Sequence, residues 1–577
     1  MKFLIFVYLF KLSILNNLRK LEEQYDLVII GGGLAGLTSA FESNMKSNNS
    51  LKIALIEQSS EIGGNSKRAT SGINFLETEP QKKNNIIDNY TIFYSDTMKS
   101  GKYINNPSLV NTLIYGAKTL YDYYTNNFDV NATSLGILGG HSVARTHRPT
   151  DHNNVIGSYL INKVSEKVKT YDNIKILCNT TVNELLKNET TNEIYGLKYK
   201  KESEDNENVI YCKAIILTSG GYGHDFGENG LLKEFVPQYM NYPTTNGELT
   251  LGSGIKLGRK IGADLVDMDQ VQIHPTGFVD SKNRYTKKKF LAPELLRGVG
   301  GILINEDGER FCNELGTRDY VTNKILENCQ KQNTEEIDQY ESFLLMNQEM
   351  ANEFGNNFYF YKDVQGFILE HNNFSEMAND LNISYNNLEN TINEYNEAFD
   401  KKLDKFNKTN FPYKFDLNKT VYSMIITPSI HYTMGGLKMN NKGEILNTNN
   451  ESIKGLYGAG EVTGGVHGGN RLGGNSLAEC GVFGRISADS AVDYISNYNK
   501  DNKNLVIKNR FFMYKRGSRG LGTGEIIGII IPIIVAIVLT VLGMLLSILS
   551  ILQDDAKEKK TLMNNSINIK RNGLSFD

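Results

Sequence analysis

Tryptophan is absent from this 577-residue chain, and its five cysteines, Cys178, Cys212, Cys312, Cys329 and Cys480, stand far apart. No two of them have the short spacing of a zinc site or a thioredoxin-like dithiol, so no metal is expected. No Cys-x-x-Cys-His run occurs either, so the chain attaches no c-type haem of its own, and any electrons it used would have to come from outside it. The net charge of −3 and the lack of a basic stripe interleaved with aromatics leave no field for nucleic acid. There is no internal repeat. Abundant asparagine beside absent tryptophan reads as compositional bias and carries no functional information.

What the chain does have is glycine, 53 residues of it, densest between Gly455 and Arg485. A packed core requires no such density, which suits a backbone pressed against a flat, charged cofactor. Arg471 stands between Gly469-Asn470 and Gly473-Gly474, a glycine frame for a planar fork that could hold a carboxylate in bidentate fashion. The length allows two domains or more.

Near the N-terminus, the apolar run Tyr25 to Ile30 predicts a strand, Gly31-Gly32-Gly33-Leu34-Ala35-Gly36 a tight turn, and the pattern through Ser43 a helix. This order places a helix N-terminus where a pyrophosphate can sit. A second predicted strand, Leu51 to Ile56, ends in Glu57, at the distance where a carboxylate meets ribose hydroxyls and disfavours a 2′-phosphate. Further strands are predicted at Lys175 to Asn179, Thr181-Val182 and Ala214 to Gly221, with the charged stretch Lys200 to Asn208 as a solvent-facing hairpin tip.

The turn Gly63-Gly64-Asn65-Ser66-Lys67-Arg68-Ala69-Thr70-Ser71-Gly72-Ile73-Asn74, taken with these elements, resembles the flavoprotein subunits of the fumarate reductase and succinate dehydrogenase superfamily, most closely the soluble single-chain fumarate reductases. The likeness extends from about Tyr25 to Tyr494. It implies an α/β architecture: a Rossmann-like FAD-binding domain, residues 22–271 and 431–498, with an inserted α+β capping domain, residues 272–430. It implies FAD contacts from Gly31, Gly33, Ala35, Gly36, Glu57, Gly64, Asn65, Ser66, Ser71, Gly72, Val182, Ser219, Glu461, Arg471, Ser476 and Leu477. Relatives that bind FAD covalently carry a histidine in the second turn, and none lies between Gly63 and Asn74, so one non-covalent FAD per chain is expected.

Four islands carry the expected chemistry: Gln272 to Gly277, Ala292 to Gly298, Gly308 to Asp319, and His431 to Gly436. Both histidines are expected in turns, His274 beside Pro275 and His431 before Tyr432-Thr433-Met434-Gly435-Gly436. Reducing fumarate adds a hydride to one alkene carbon and a proton to the other, with negative charge building up on the way, so two carboxylates need several fixed cations and donors. By resemblance Arg471, His274, His431 and Arg318 bind the substrate, and Arg318 also delivers the proton. Glu294 and Arg297, three residues apart on one helical turn, would relay protons to it from solvent. Three positions depart from the family pattern. Asp151-His152-Asn153 follows the His141 to Pro149 loop where glycines are common; Ser253 replaces an aspartate beside the flavin; Pro293 replaces a threonine beside Glu294.

The two ends lie outside the resemblance. Residues 1–20 have the basic start and short apolar run of a secretory signal, with an uncleaved anchor or a mitochondrial presequence as alternatives. After a linker, 499–525, the stretch 526–552 carries no charge and as a helix would span roughly 40 Å, enough to cross a bilayer. Basic residues flank it on both sides, leaving its orientation open, and a tail, 553–577, follows. The expectation is a membrane-anchored FAD-dependent fumarate reductase of the endoplasmic reticulum or secretory pathway, with the mitochondrion as alternative, supplied by reduced flavin, NADH or a carrier protein. Its rivals are a reductase or dehydrogenase of another enoate, urocanate- or ketosteroid-type, and a non-catalytic membrane flavoprotein.

Overall fold

The computed structural model describes residues 23–151, 154–332 and 337–516, with side chains as far as Tyr498. The chain divides into a unit ending at Tyr498 and another beginning at Asn499. Of the second unit only backbone is described: the helix Asn475–Arg516 runs into the stretch expected as a linker. The N-terminal run 1–20, the apolar stretch 526–552 and the tail lie outside the described residues. Among the described residues no helix is long and apolar enough to cross a membrane.

The first unit is built on a ten-stranded sheet. Its centre is parallel, in the order Ser452–Gly458, Ala214–Leu217, Leu27–Ile30, Ile53–Ile56, Ile174–Leu177. Leu27–Ile30, Ile53–Ile56 and Ala214–Leu217 are buried at every residue, as unbroken apolar runs in a parallel sheet covered on both faces should be. The helix Leu34–Lys46 leaves directly from the first of these strands and stops where Asn48 and Asn49 turn left-handed (φ 51° and 60°). The start of Asn475–Arg516 packs across it, with Ser39 Oγ donating to Gly484 O at 2.9 Å. The charged stretch predicted as a hairpin tip joins Glu193–Lys201 to Asn208–Tyr211, which pair antiparallel.

A second, six-stranded sheet is antiparallel, in the order Phe290–Leu291, Val271–Phe278, Val421–Thr433, Ser342–Asn347, Ile302–Ile304, with Leu369–His371 also on Val421–Thr433. It has its own apolar core, in which Phe278, Leu296, Leu344 and Tyr395 pack with the helices Phe374–Leu381 and Tyr385–Lys401.

The ladder between Val271–Phe278 and Val421–Thr433 is irregular twice. Gln272 faces Tyr432 and Ile273 faces Ile430, so His431 is the extra residue of a β-bulge. His274 then faces Ser429 and Gly277 faces Thr427, leaving Pro275 and Thr276 opposite Pro428. Prolines have no N–H to give a ladder, which is why pairing lapses there. The two histidines therefore sit inside strands and not in the turns expected of them. A bulge re-aims side chains that a regular strand would send to opposite faces.

Candidate active site

The groove between the first turn and the second fits a nucleotide cofactor. Gly33 caps the helix Leu34–Lys46 with no side-chain hydrogen bond, leaving that N-terminus to an anion. A Cβ on Gly36 would lie 1.9 Å from Gly31 O, so this glycine permits the helix to press on the strand. Gly64 (φ +50°) and Gly220 (φ +76°) have nothing within 4 Å of a built Cβ and border open space. Glu57 is locked in place, Oε2 accepting from Gly32 N at 2.7 Å and Oε1 from Ser59 N at 2.9 Å. Asn65 donates to Asn246 Oδ1 (2.8 Å), Ser66 Oγ accepts from Leu34 N (3.3 Å), and Ser219 Oγ accepts from Gly254 N (3.0 Å). Val182 lies at a register shift in the strand pair Thr180–Asn188 and Glu193–Lys201. Leu477 is buried and Ser476 half-buried at the start of Asn475–Arg516. Ser71 is half-buried, and Gly72 (φ +139°) would strike Thr146 with any Cβ. Ala35 is buried in the helix's first turn. Glu461 accepts from Thr433 N and Oγ1 at 3.0 and 3.2 Å, and burial pushes its carboxyl up to about 7. Ser253 opens the helix Ser253–Lys260 behind Gly252, a left-handed residue.

Across from this groove the four expected substrate ligands converge. The rings of His274 and His431 lie edge to face, 5.0 Å between centres. Burial, with Arg318 and Arg471 nearby, drives both imidazoles well below the ordinary histidine range, so both are neutral. His274 Nδ1 lies 3.2 Å from Thr276 N and Oγ1 and 3.3 Å from Thr276 O, while its Nε2 is buried and has no partner. Arg471 is buried, its guanidinium carbon 4.3 Å over the Tyr432 ring and its Nε unpartnered; burial and Arg318 bring its pKa down to about 10.

Arg318, first residue of the helix Arg318–Asn328, donates Nε and Nη2 to Glu294 Oε2 at 2.9 and 2.7 Å and Nη1 to Gln272 Oε1 at 2.7 Å. Glu294 has no exposed surface, and Oε1 accepts from Gly139 N at 2.8 Å. Burial alone would raise its pKa, but Arg318 and Arg297 outweigh that and hold it at about 2. Arg297 stands off: Nη2 is 3.9 Å from Glu294 Oε1 with no hydrogen bond, and Nη1 donates to Glu314 O. It too has no exposed surface, so the expected path from solvent does not open at this residue.

A model of the FAD binding domain family matches residues 26–477. Fumarate reductase 1 of Saccharomyces cerevisiae is 39% identical over 479 residues, 80% of this chain and 98% of the yeast protein. The chain belongs to the fumarate reductase flavoproteins. A second member, the fumarate reductase of Schizosaccharomyces pombe, is 34% identical over 84% of the chain and 91% of its own length. Among solved structures, the open conformation of a flavocytochrome c3 fumarate reductase superposes with a TM-score of 0.65 at 26% identity, covering 84% of this chain and 81% of that one. As a fumarate reductase flavoprotein the chain binds FAD, for which the turns described above leave a helix N-terminus uncapped and glycines facing open space.

Sequence reasoning gave no role to Gln272, which ties the site together: its Oε1 takes Arg318, and its Nε2 donates to Asn470 Oδ1 (3.0 Å) and Arg471 O (2.9 Å). The available signal was its spacing, two residues before His274 in a strand and so on the same face. Tyr432, the floor under Arg471, donates to Glu479 Oε2 at 2.7 Å. Nothing local marks that contact, which joins residues 47 positions apart.

Proposed function

We propose that the protein reduces fumarate to succinate with electrons from an external donor, and that Arg318 is the proton donor. The observation that carries this is the setting of Arg318, anchored by Glu294 and Gln272 beside two neutral imidazoles and a second buried arginine with an unpartnered Nε. A dianion is what such a pocket lacks.

Held non-covalently by the turns at Gly31 to Gly36 and Gly63 to Asn74, FAD in its reduced form would supply the hydride for one alkene carbon. Arg471 clamps one carboxylate, while His274 and His431 hydrogen-bond the substrate and polarise it. Arg318 gives the other carbon its proton. A guanidinium is a reluctant acid, but once Arg318 is deprotonated the carboxylate of Glu294 faces no full charge on that side, takes a proton from Arg297 and hands it to Arg318, and Arg297 regains its own from solvent. Hydride and proton together are the two hydrogens of succinate, and the two electrons trace back to the donor. Non-covalent attachment is supported by His147, the histidine opposite Ile73, whose ring nitrogens are taken by Thr78 Oγ1 (2.8 Å) and Arg145 O (2.7 Å).

The purified full chain, reduced anaerobically, should be reoxidised by fumarate and not by urocanate or a 3-ketosteroid. Reoxidation by either of those in preference would transfer the reading to another enoate, and reoxidation by none would leave a non-catalytic flavoprotein. Reduced FMN, reduced FAD and NADH offered in turn identify the donor. The terminal stretches carry the proposal of a membrane-tethered enzyme of the secretory pathway, and recovery in the mitochondrial matrix on fractionation would overturn it.

A further inference from the structure

Behind Arg297 four charged side chains are buried together. Glu314 has no exposed surface, Lys408 is 1% exposed, and Arg310 and Asp404 are 6% exposed each. Glu314 Oε1 accepts from Arg310 Nε at 2.9 Å and from Leu303 N at 3.3 Å; its Oε2 accepts from Arg310 Nη2 at 3.1 Å and from Lys408 Nζ at 2.8 Å. Arg310 Nη1 donates to Asp404 Oδ1 at 2.9 Å, and Asp404 Oδ2 closes its own turn by accepting from Phe406 N and Lys408 N. Two cations and two anions balance. Such a cluster costs much to desolvate, and well-packed apolar residues would often serve stability as well, so it calls for a purpose beyond holding the fold.

Its placement supplies one. The sole hydrogen bond of the Arg297 guanidinium among the described residues is to Glu314 O, with Nε and Nη2 unpartnered. One residue on, Leu315 O accepts from Gly140 N, next to the Gly139 N–H that holds Glu294, and four residues on is Arg318 itself. The segment 310–318 therefore carries the proton donor and fixes what both other members of the relay lean on. The cluster is what pins that segment.

Resting on the relay reading above, we propose that Lys408, through Glu314, is a positioning residue for proton delivery: it holds the Glu314 carbonyl where Arg297 can exchange with Glu294. Removing its charge leaves Glu314 with excess negative charge and a freer backbone beside Arg297, which then gives up a proton less readily.

The test is Lys408→Met in the full chain. Expected are a fall in kcat of about tenfold, the lower end of what loss of an orienting partner does, an unchanged KM for fumarate, unchanged reduction of the flavin by the donor, and a solvent deuterium isotope effect on kcat larger than in the parent. Lys408→Arg should restore both kcat and the isotope effect. A kcat and isotope effect equal to the parent's would overturn the proposal, as would a fall in kcat with no change in isotope effect, the mark of mere destabilisation. Should Lys408→Met not fold, Lys408→Gln, which also removes the charge, with the same readouts decides. Arg297→Lys run in parallel separates the two readings: if it keeps full kcat and the parent isotope effect, the relay fails; if it is slowed while Lys408→Met is not, only the positioning role fails.

Discussion

Glu294 accepts two hydrogen bonds from Arg318 through one oxygen, Oε2, while its other oxygen takes a backbone N–H from Gly139. The pair is buried, and neither partner can be removed without stranding the other. Arg318→Ala should lower turnover by about 10²–10⁴-fold while leaving FAD bound, and should destabilise the fold by about 3–5 kcal/mol. Adding Glu294→Gln should recover much of the melting temperature and none of the activity. Absorbance of bound flavin, thermal melts and fumarate turnover on the three proteins check this; unchanged turnover in Arg318→Ala would remove the arginine as acid.

Gln272 couples the acid to the clamp, and its loss should be felt at both. Gln272→Met leaves Arg318 Nη1 and Arg471 O without a partner, at about 1–3 kcal/mol for each buried group. The expected result is a rise in KM together with a fall in kcat, giving a drop in kcat/KM of about tenfold or more. A change in kcat alone would mean that the bond to Arg471 O does no positioning.

Arg471 differs from Arg318 in forming no ion pair among the described residues: it has the Tyr432 ring beneath and an unpartnered Nε. Arg471→Met should weaken succinate binding by about 2–5 kcal/mol, read by titration of the oxidised protein. Arg471→Lys should recover little, since an ammonium lacks the planar fork. Full recovery by lysine would show that charge alone suffices.

Two buried carboxylates should pull stability in opposite directions with pH. Glu294, held at about 2, binds fewer protons folded than unfolded between there and 4.5, so its contribution is present above 4.5 and is lost as pH falls towards 2. Glu461, raised to about 7, binds more protons folded, so its contribution is present below 4.5 and is lost as pH rises towards 7. Denaturant melts of the FAD-free chain between pH 4 and 8 should show Glu461→Gln flattening the loss on the alkaline side. Equal slopes in parent and variant would contradict it.

How far the sequence went is clearest at particular residues. The turn at Gly31 to Gly36 and the carboxylate of Glu57 were legible because strand, tight turn and helix follow each other in the chain, and Gly36 must be glycine for a contact only five residues away. Arg297 beside Glu294 was legible as a helical spacing, yet its hydrogen bond goes to Glu314 O and its burial closes it from solvent, neither of which local spacing contains. The two histidines, whose rings the structure brings together, were set in the wrong element, because their Pro and Gly neighbours signal turns as strongly as they signal a broken ladder.

By itself, then, the sequence determined the fold family, the cofactor groove and the identity of the residues bearing charge, since these depend on short-range order and on glycine where no side chain fits. Tertiary structure alone decided their partnerships: the bulge that makes His431 the extra residue across from Ile273, the amide of Gln272 between two arginines, and the four buried charges behind Arg297. Those are contacts between strands and loops far apart in the chain, fixed by register and packing, and a linear pattern carries no trace of them.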